Sequence, residues 1–104
     1  MNFRIERIHL SIDGENDPDI DYKNGNSDVI VEFQNGETYV ATFFTYENLE
    51  SMRLQNKISG GFMKGKYFWK ENMVFIDNCS QKNVQLVIQN MIEEGDFQSV
   101  FRKI

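Results

Sequence analysis

The sequence predicts an α+β domain: an antiparallel sheet of about five strands, in the order β-β-β-α-β-β-α, with a C-terminal helix packed on one face. Three observations carry this. The segments DVIVEFQ and ETYVATFF flank Asn35-Gly36, the strongest hairpin signal in the chain. Val84, Val87, Ile88, Met91 and Ile92 recur at the i, i+3, i+4, i+7, i+8 spacing of an amphipathic helix. The chain has 104 residues, of which 40% are hydrophobic and 13% aromatic, enough for one core and too apolar for disorder. Residues 1–104 are read as a single domain.

FRIERIHLSI reads as the first strand. Phe3 and Ile5 share one parity while Ile8, Leu10 and Ile12 share the other. A bulge near Glu6–Arg7 would bring all five to one face, and a strand apolar on different faces at its two ends is the other explanation. DGENDPDIDYKNGNS, residues 13–27, follows as a long exposed loop, polar and holding the single proline, Pro18. The register of the Asn35-Gly36 hairpin depends on loop length. A three-residue loop with Gly36 left-handed pairs Val31 with Tyr39 and Val29 with Ala41. It gathers the better apolar face, Val29, Val31, Phe33, Tyr39, Ala41 and Phe43, and is the preferred reading.

Thr45 is placed to cap a helix over residues 46–57, with Glu47 in the favourable first turn and Leu49 and Met52 on a narrow apolar stripe. Gly60-Gly61 ends it. KYFWK and MVFID then read as a second hairpin around Glu71-Asn72, which sets Tyr67 and Trp69 on the face of Val74 and Ile76, and Phe68 opposite. Asp77 or Ser80 starts the last long helix and Gly95 closes it. Phe97, Phe101 and Ile104 point to a short helical turn folded back on the core.

GGFMKGKY, residues 60–67, is one side chain short of the phosphate-loop pattern G-x-x-x-x-G-K-[ST]. The context is reversed: a helix precedes the glycines and a strand follows, where a phosphate loop needs a strand before and a helix after. Tyr67 is no substitute for the small hydroxyl that holds magnesium. The segment is read as a helix stop and a tight turn. Tyr67-Phe68-Trp69, flanked by Lys64, Lys66 and Lys70, has the composition of a stacking platform for single-stranded nucleic acid. Strand alternation argues against it, because Tyr67 and Trp69 cannot share a face with Phe68. Phe68, Phe75 and Met73 are then either covered by a helix or left as an apolar patch that marks a protein interface.

The acidic loop sets Asp17, Asp19 and Asp21 at alternate positions, with Asp28 at the twelfth place from Asp17. That spacing resembles a calcium loop, but Tyr22 stands where glycine is needed and strands flank it, so no metal is assigned. One cysteine, Cys79, excludes an internal disulfide, and one histidine, His9, excludes two-histidine metal motifs. Nothing in the spacing joins Cys79 to His9 as nucleophile and base; Cys79 reads as packing, although a helix N-terminus lowers a nearby thiol's pKa. No cofactor is expected. Eleven basic residues face 16 acidic ones, a net charge of −5, which disfavours nucleic acid as a partner. No stretch reaches membrane-spanning length, and MNFRIERIHLSI is charged at Arg4, Glu6 and Arg7, so a cytoplasmic protein is expected.

Across residues 28–101, the runs VIVEFQNGETYVATFFTYENLE, GKYFW and VQLVIQNMIEEGDF resemble a family of small bacterial α+β proteins with no catalytic motif attached to the pattern. In size, acidity and lack of active-site residues the chain also resembles immunity proteins of bacterial toxin systems, including contact-dependent inhibition. That likeness implies a non-catalytic protein that binds a cognate toxin domain and blocks it, with an acidic surface meeting a basic partner. The expected contacts are Glu15, Asp17, Asp19 and Asp21, then Glu93 and Glu94 at the end of the last helix. The competing expectations are a small-molecule module or enzyme with a pocket between sheet and helix, and a regulatory or assembly subunit that pairs through a sheet edge or the Phe68 face.

Overall fold

A computed structural model describes residues 4–14 and 19–104. Strand β1 (Ile5–Leu10) leads through a short 3-10 turn (Ser11–Gly14) to β2 (Asn26–Phe33) and β3 (Thr38–Thr45). Helix α1 (Tyr46–Ser59), a five-residue helical segment α2 (Gly61–Gly65), β4 (Met73–Ile76), α3 (Gln81–Glu94), α4 (Phe97–Val100) and β5 (Arg102–Lys103) complete the chain. The fold is α+β, a five-stranded sheet with the C-terminal helices on one face.

The alternation of apolar residues sets the register. The β2–β3 hairpin pairs Val31 with Tyr39 and Val29 with Ala41, and Gly36 takes φ 89°, so the three-residue loop is the one formed. The β1–β2 ladder slips between Ile5 and Arg7, a bulge at Glu6. It returns Ile5, Ile8 and Leu10 to one side, opposite Phe33, Val31 and Val29. The inner face of the sheet is closed by Val84 and Ile88 of α3 and by Phe97 and Phe101, all buried. Phe97 meets Phe33 and Tyr39 edge-on at 5.4 and 5.3 Å and stacks on Phe101 at 4.4 Å. Among the described residues, no buried side-chain nitrogen or oxygen lacks a hydrogen-bond partner.

The helix caps follow the sequence. Thr45 accepts a hydrogen bond from the Asn48 amide and Ser80 from that of Asn83, while Gly60 and Gly95 end α1 and α3 in the left-handed region. The loop after β1 is only partly exposed: Ile20 and Tyr22 pack against the core, and the Tyr22 carbonyl accepts from the Cys79 amide at 2.8 Å.

The second hairpin is not formed. Residues 66–70 are not a strand, and β4 pairs in parallel with β3, Phe43 beside Val74 and Thr45 beside Ile76. Parallel neighbours need a crossover, and α1 with α2 supplies it. The fifth strand is β5, which pairs antiparallel with Tyr39 and Val40 along the same edge of β3. Asn72 fixes the start of β4: its carbonyl accepts from the Thr42 amide, and its side chain donates to the Val100 carbonyl at 2.8 Å. Phe97 and Phe101 do fold back on the core, but Ile104 is exposed.

Candidate functional site: an exposed aromatic and basic face

The β3–β4 crossover is built differently from the rest of the molecule. Helix α1 has no buried residue, and α1 and α2 pack chiefly on each other. A 14-residue helix in water is marginal without tertiary contacts, so α1 depends on what covers it. The chain is correspondingly long, 46 × 31 × 21 Å with a radius of gyration of 14.8 Å, against about 13 Å for a compact chain of this size.

Within α2 the backbone winds left-handed. Phe62, Met63 and Lys64 have φ of 49°, 54° and 61°, and Gly65 follows at 78°. Each non-glycine residue there costs about 1–2 kcal/mol. The turn is held by rings. Phe62 lies 5.1 Å from Phe68 and 5.5 Å from Tyr67, and Phe68 lies 5.2 Å from the buried Phe44 on the outer face of the sheet. Tyr46 and Phe75 form a further edge contact at 6.1 Å.

The outer surface of this turn and of α1 exposes several large apolar side chains among polar ones. Ile58 is 91% exposed, Met63 63%, Trp69 59% and Tyr67 51%, and Tyr46, Leu54 and Phe75 are also exposed. Between α1 and residues 65–68 lies a groove of about 300 Å3, lined by Tyr46, Leu49, Tyr67 and Phe68 together with Glu50, Arg53 and Lys66. Arg53 is already paired with Glu50. Residues 51–70 carry Arg53, Lys57, Lys64, Lys66 and Lys70 and no acidic residue, while the other 84 residues hold six basic and 16 acidic ones. With Glu47 and Glu50 of α1 counted, the face keeps a net charge of three positive and stands on an anionic body.

Strand alternation does not separate these rings, because 66–70 is not a strand: Tyr67 and Trp69 are exposed, and the half-buried Phe68 is their anchor to Phe44. Tyr46, Leu54, Ile58, Phe62 and Met63 were missed as surface residues. The composition of 51–70, five cations and no carboxylate, marks the stretch as surface but does not single out these side chains.

Of the acidic residues expected to bind, Glu15 and Asp17 lie outside the described residues. Asp19 and Asp21 are exposed; Asp21 accepts from the Lys23 amide, and the loop touches α1 where Asn24 donates to Ser51. Glu93 and Glu94 are exposed at the far end of α3. Tyr22 joins the loop to Cys79 just before that helix begins, so the two acidic groups sit about 20 Å apart along it. The structure does not gather them into one surface. Asp28 lies in β2 and accepts from the Thr42 hydroxyl at 3.0 Å.

His9 and Cys79 are not joined either. His9 lies on the exposed outer side of β1, 3.4 Å from Glu32, whereas Cys79 is buried in the core. Burial pushes the Cys79 thiol up to about 11, the opposite of activation by a helix N-terminus. A second groove, of about 390 Å3, runs between β1 and α3, lined by Ile5, Ile8, Arg7, Lys82, Gln85 and Leu86.

No protein-family model matches the chain, and no solved structure matches it. Over 110 residues, 95% of this chain, it is 31% identical to the DNA-directed RNA polymerase subunit beta' of Tetradesmus obliquus. The chain spans 7% of that subunit's length, a likeness that assigns no family.

Proposed function

We propose that this chain is a non-catalytic binding protein of the immunity type, which neutralises a bacterial toxin domain by covering the surface that domain needs. The observation that supports the reading is the exposed apolar face of α1, α2 and residues 67–69. Exposed Trp, Tyr, Phe and Met side chains around a groove are the composition of an interface centre. Occlusion asks for nothing further: rings seat in the partner, the partner seats in the groove, and no group turns over.

In this reading the protein works in the cytoplasm, without cofactor or nucleic acid, and no described helix is long and apolar enough to cross a membrane. Asp19, Asp21, Glu93 and Glu94 act at longer range and away from that face, drawing in whatever basic surface the domain carries elsewhere. A small-molecule module is the second reading; the groove between β1 and α3 favours it, at the small end of ligand-pocket volumes.

The test is affinity purification from the native cell, identification of the bound protein, and co-expression of its domain with this chain. A domain that arrests growth alone and is silenced by the wild-type chain, but not by Trp69→Ala with Phe62→Ala, bears the reading out. A bound protein that harms no cell, or whose capture ignores both substitutions, overturns it.

A further inference from the structure

We propose that the α1–α2 face docks an acidic protein segment, one that sets an apolar or aromatic side chain into the groove between α1 and Tyr67 and ranges carboxylates against Lys64, Lys66 and Lys70. The inference rests on the protein-binding reading above and assigns the chemistry of the partner at that face.

Charge decides the sign. The face, residues 46–70, carries five cations against two carboxylates, Glu47 and Glu50, of which Glu50 lines the groove and is paired with Arg53; Lys64, Lys66 and Lys70 make no ion pair among the described residues. The remainder of the chain, with six basic and 14 acidic residues, has an excess of eight negative charges. A second copy meeting this face with its own would set a net charge of three positive against three, so a symmetric dimer is disfavoured here. A basic partner surface, suited to Asp19 and Asp21, is repelled here.

Side-chain chemistry decides the class. Single-stranded nucleic acid gains its affinity from stacking on rings. Ile58, Leu54 and Met63 offer no ring, yet they make up much of the exposed surface. A bilayer would wet the rim without filling a groove of about 300 Å3. A folded or helical protein segment satisfies all three elements: an anchor for the groove, aliphatic contact for α1, and carboxylates for the lysines.

Trp69, the only tryptophan, is 59% exposed and follows the groove-lining Phe68 in the chain, so its emission serves as the reporter. The probe is a synthetic amphipathic helical peptide without Trp, Leu and Phe on one face and Glu on the other. The expected result is a saturable blue shift, weakened by salt, with the same peptide carrying Lys for Glu binding about tenfold more weakly or worse. Lys64→Glu with Lys66→Glu and Lys70→Glu should invert that preference. Lys66→Gln, a single exposed change, should weaken the acidic peptide alone, and it serves where the triple variant does not fold.

Equal or better binding of the Lys peptide, no saturable change with the Glu peptide, or tighter binding of oligo-dT or anionic phospholipid vesicles overturns the proposal. The two failures are distinguishable. A toxin partner that needs Trp69 while the Lys peptide wins removes the acidic assignment and leaves the binding reading standing. Acidic-peptide binding with no Trp69-dependent partner in the cell does the reverse.

Discussion

Gly65 lies against the backbone of α1 so closely that a Cβ on it would stand 2.6 Å from the Arg53 carbonyl oxygen. This contact docks the left-handed turn onto the helix. Gly65 also has φ 78°, where any side chain is strained. Gly65→Ala therefore combines a left-handed penalty with a clash against backbone that cannot rotate away. We expect a loss of about 2–4 kcal/mol in urea unfolding, with Trp69 emission moving toward that of water-exposed indole. An Ala variant of wild-type stability would show that the turn does not pack this way.

Met63 gives the opposite result. It sits in the left-handed run at φ 54° and is exposed, so its side chain contributes little packing to offset the strain. Met63→Gly relieves the backbone while adding freedom to the unfolded chain, two effects of opposite sign. The net is an unchanged or raised melting temperature, a gain of up to about 1 kcal/mol. The same substitution should weaken partner binding, because Met63 is one of the exposed contacts. A clear loss of stability would place Met63 in an ordinary conformation.

Cys79 makes the protein sensitive to alkali. Its thiol rises from 9.0 to about 11 because burial disfavours the thiolate. Above pH 9.0 the unfolded chain releases this proton while the folded chain keeps it, so the unfolded state binds fewer protons and stability falls as pH rises. The slope approaches about 1.4 kcal/mol per pH unit and ends near the folded value. Tyr22, raised by its hydrogen bond to Asp13, adds in the same direction. Thermal melts across this range should decline, and Cys79→Ala should flatten them. Below pH 9.0 a thiol reagent should find Cys79 inert until the protein unfolds.

What the sequence made legible was local. The Glu6 bulge, the Val31–Tyr39 register, the Thr45 and Ser80 caps and the Val84–Ile92 stripe each depend on residues within one element or one turn. The parallel pairing of β4 was not legible, because KYFWK has strand composition and the Phe44–Phe68 contact that holds it off the sheet joins residues 24 apart. That error carried the site with it. A strand over 66–70 separates Tyr67 and Trp69 from Phe68 by alternation, whereas the turn that forms leaves Tyr67 and Trp69 exposed beside it. Carboxylates dominate the composition and so mark no particular surface, whereas a cluster of cations on an acidic chain is the rarer feature.

Thr45 couples the body to this face, and its replacement separates the two. Fully buried at the end of β3, its hydroxyl oxygen accepts from the Asn48 amide of α1 and from the Gly25 amide, each at 3.1 Å, and its own amide donates to the Gly25 carbonyl. Thr45→Val keeps the shape and the β-branch but removes the acceptor, leaving two buried or half-buried amides without it. Loss of an N-cap together with a stranded donor amounts to about 2–4 kcal/mol. The loss should be uneven. β2 and the rest of β3 keep their ladder, whereas α1, with no buried residue of its own, loses the bond that starts it. Amide hydrogen exchange should therefore rise many-fold over residues 46–59 and little over residues 29–43, and partner binding through Trp69 should weaken in step. Uniform acceleration across both segments would mean that the α1 face and the sheet unfold as one unit.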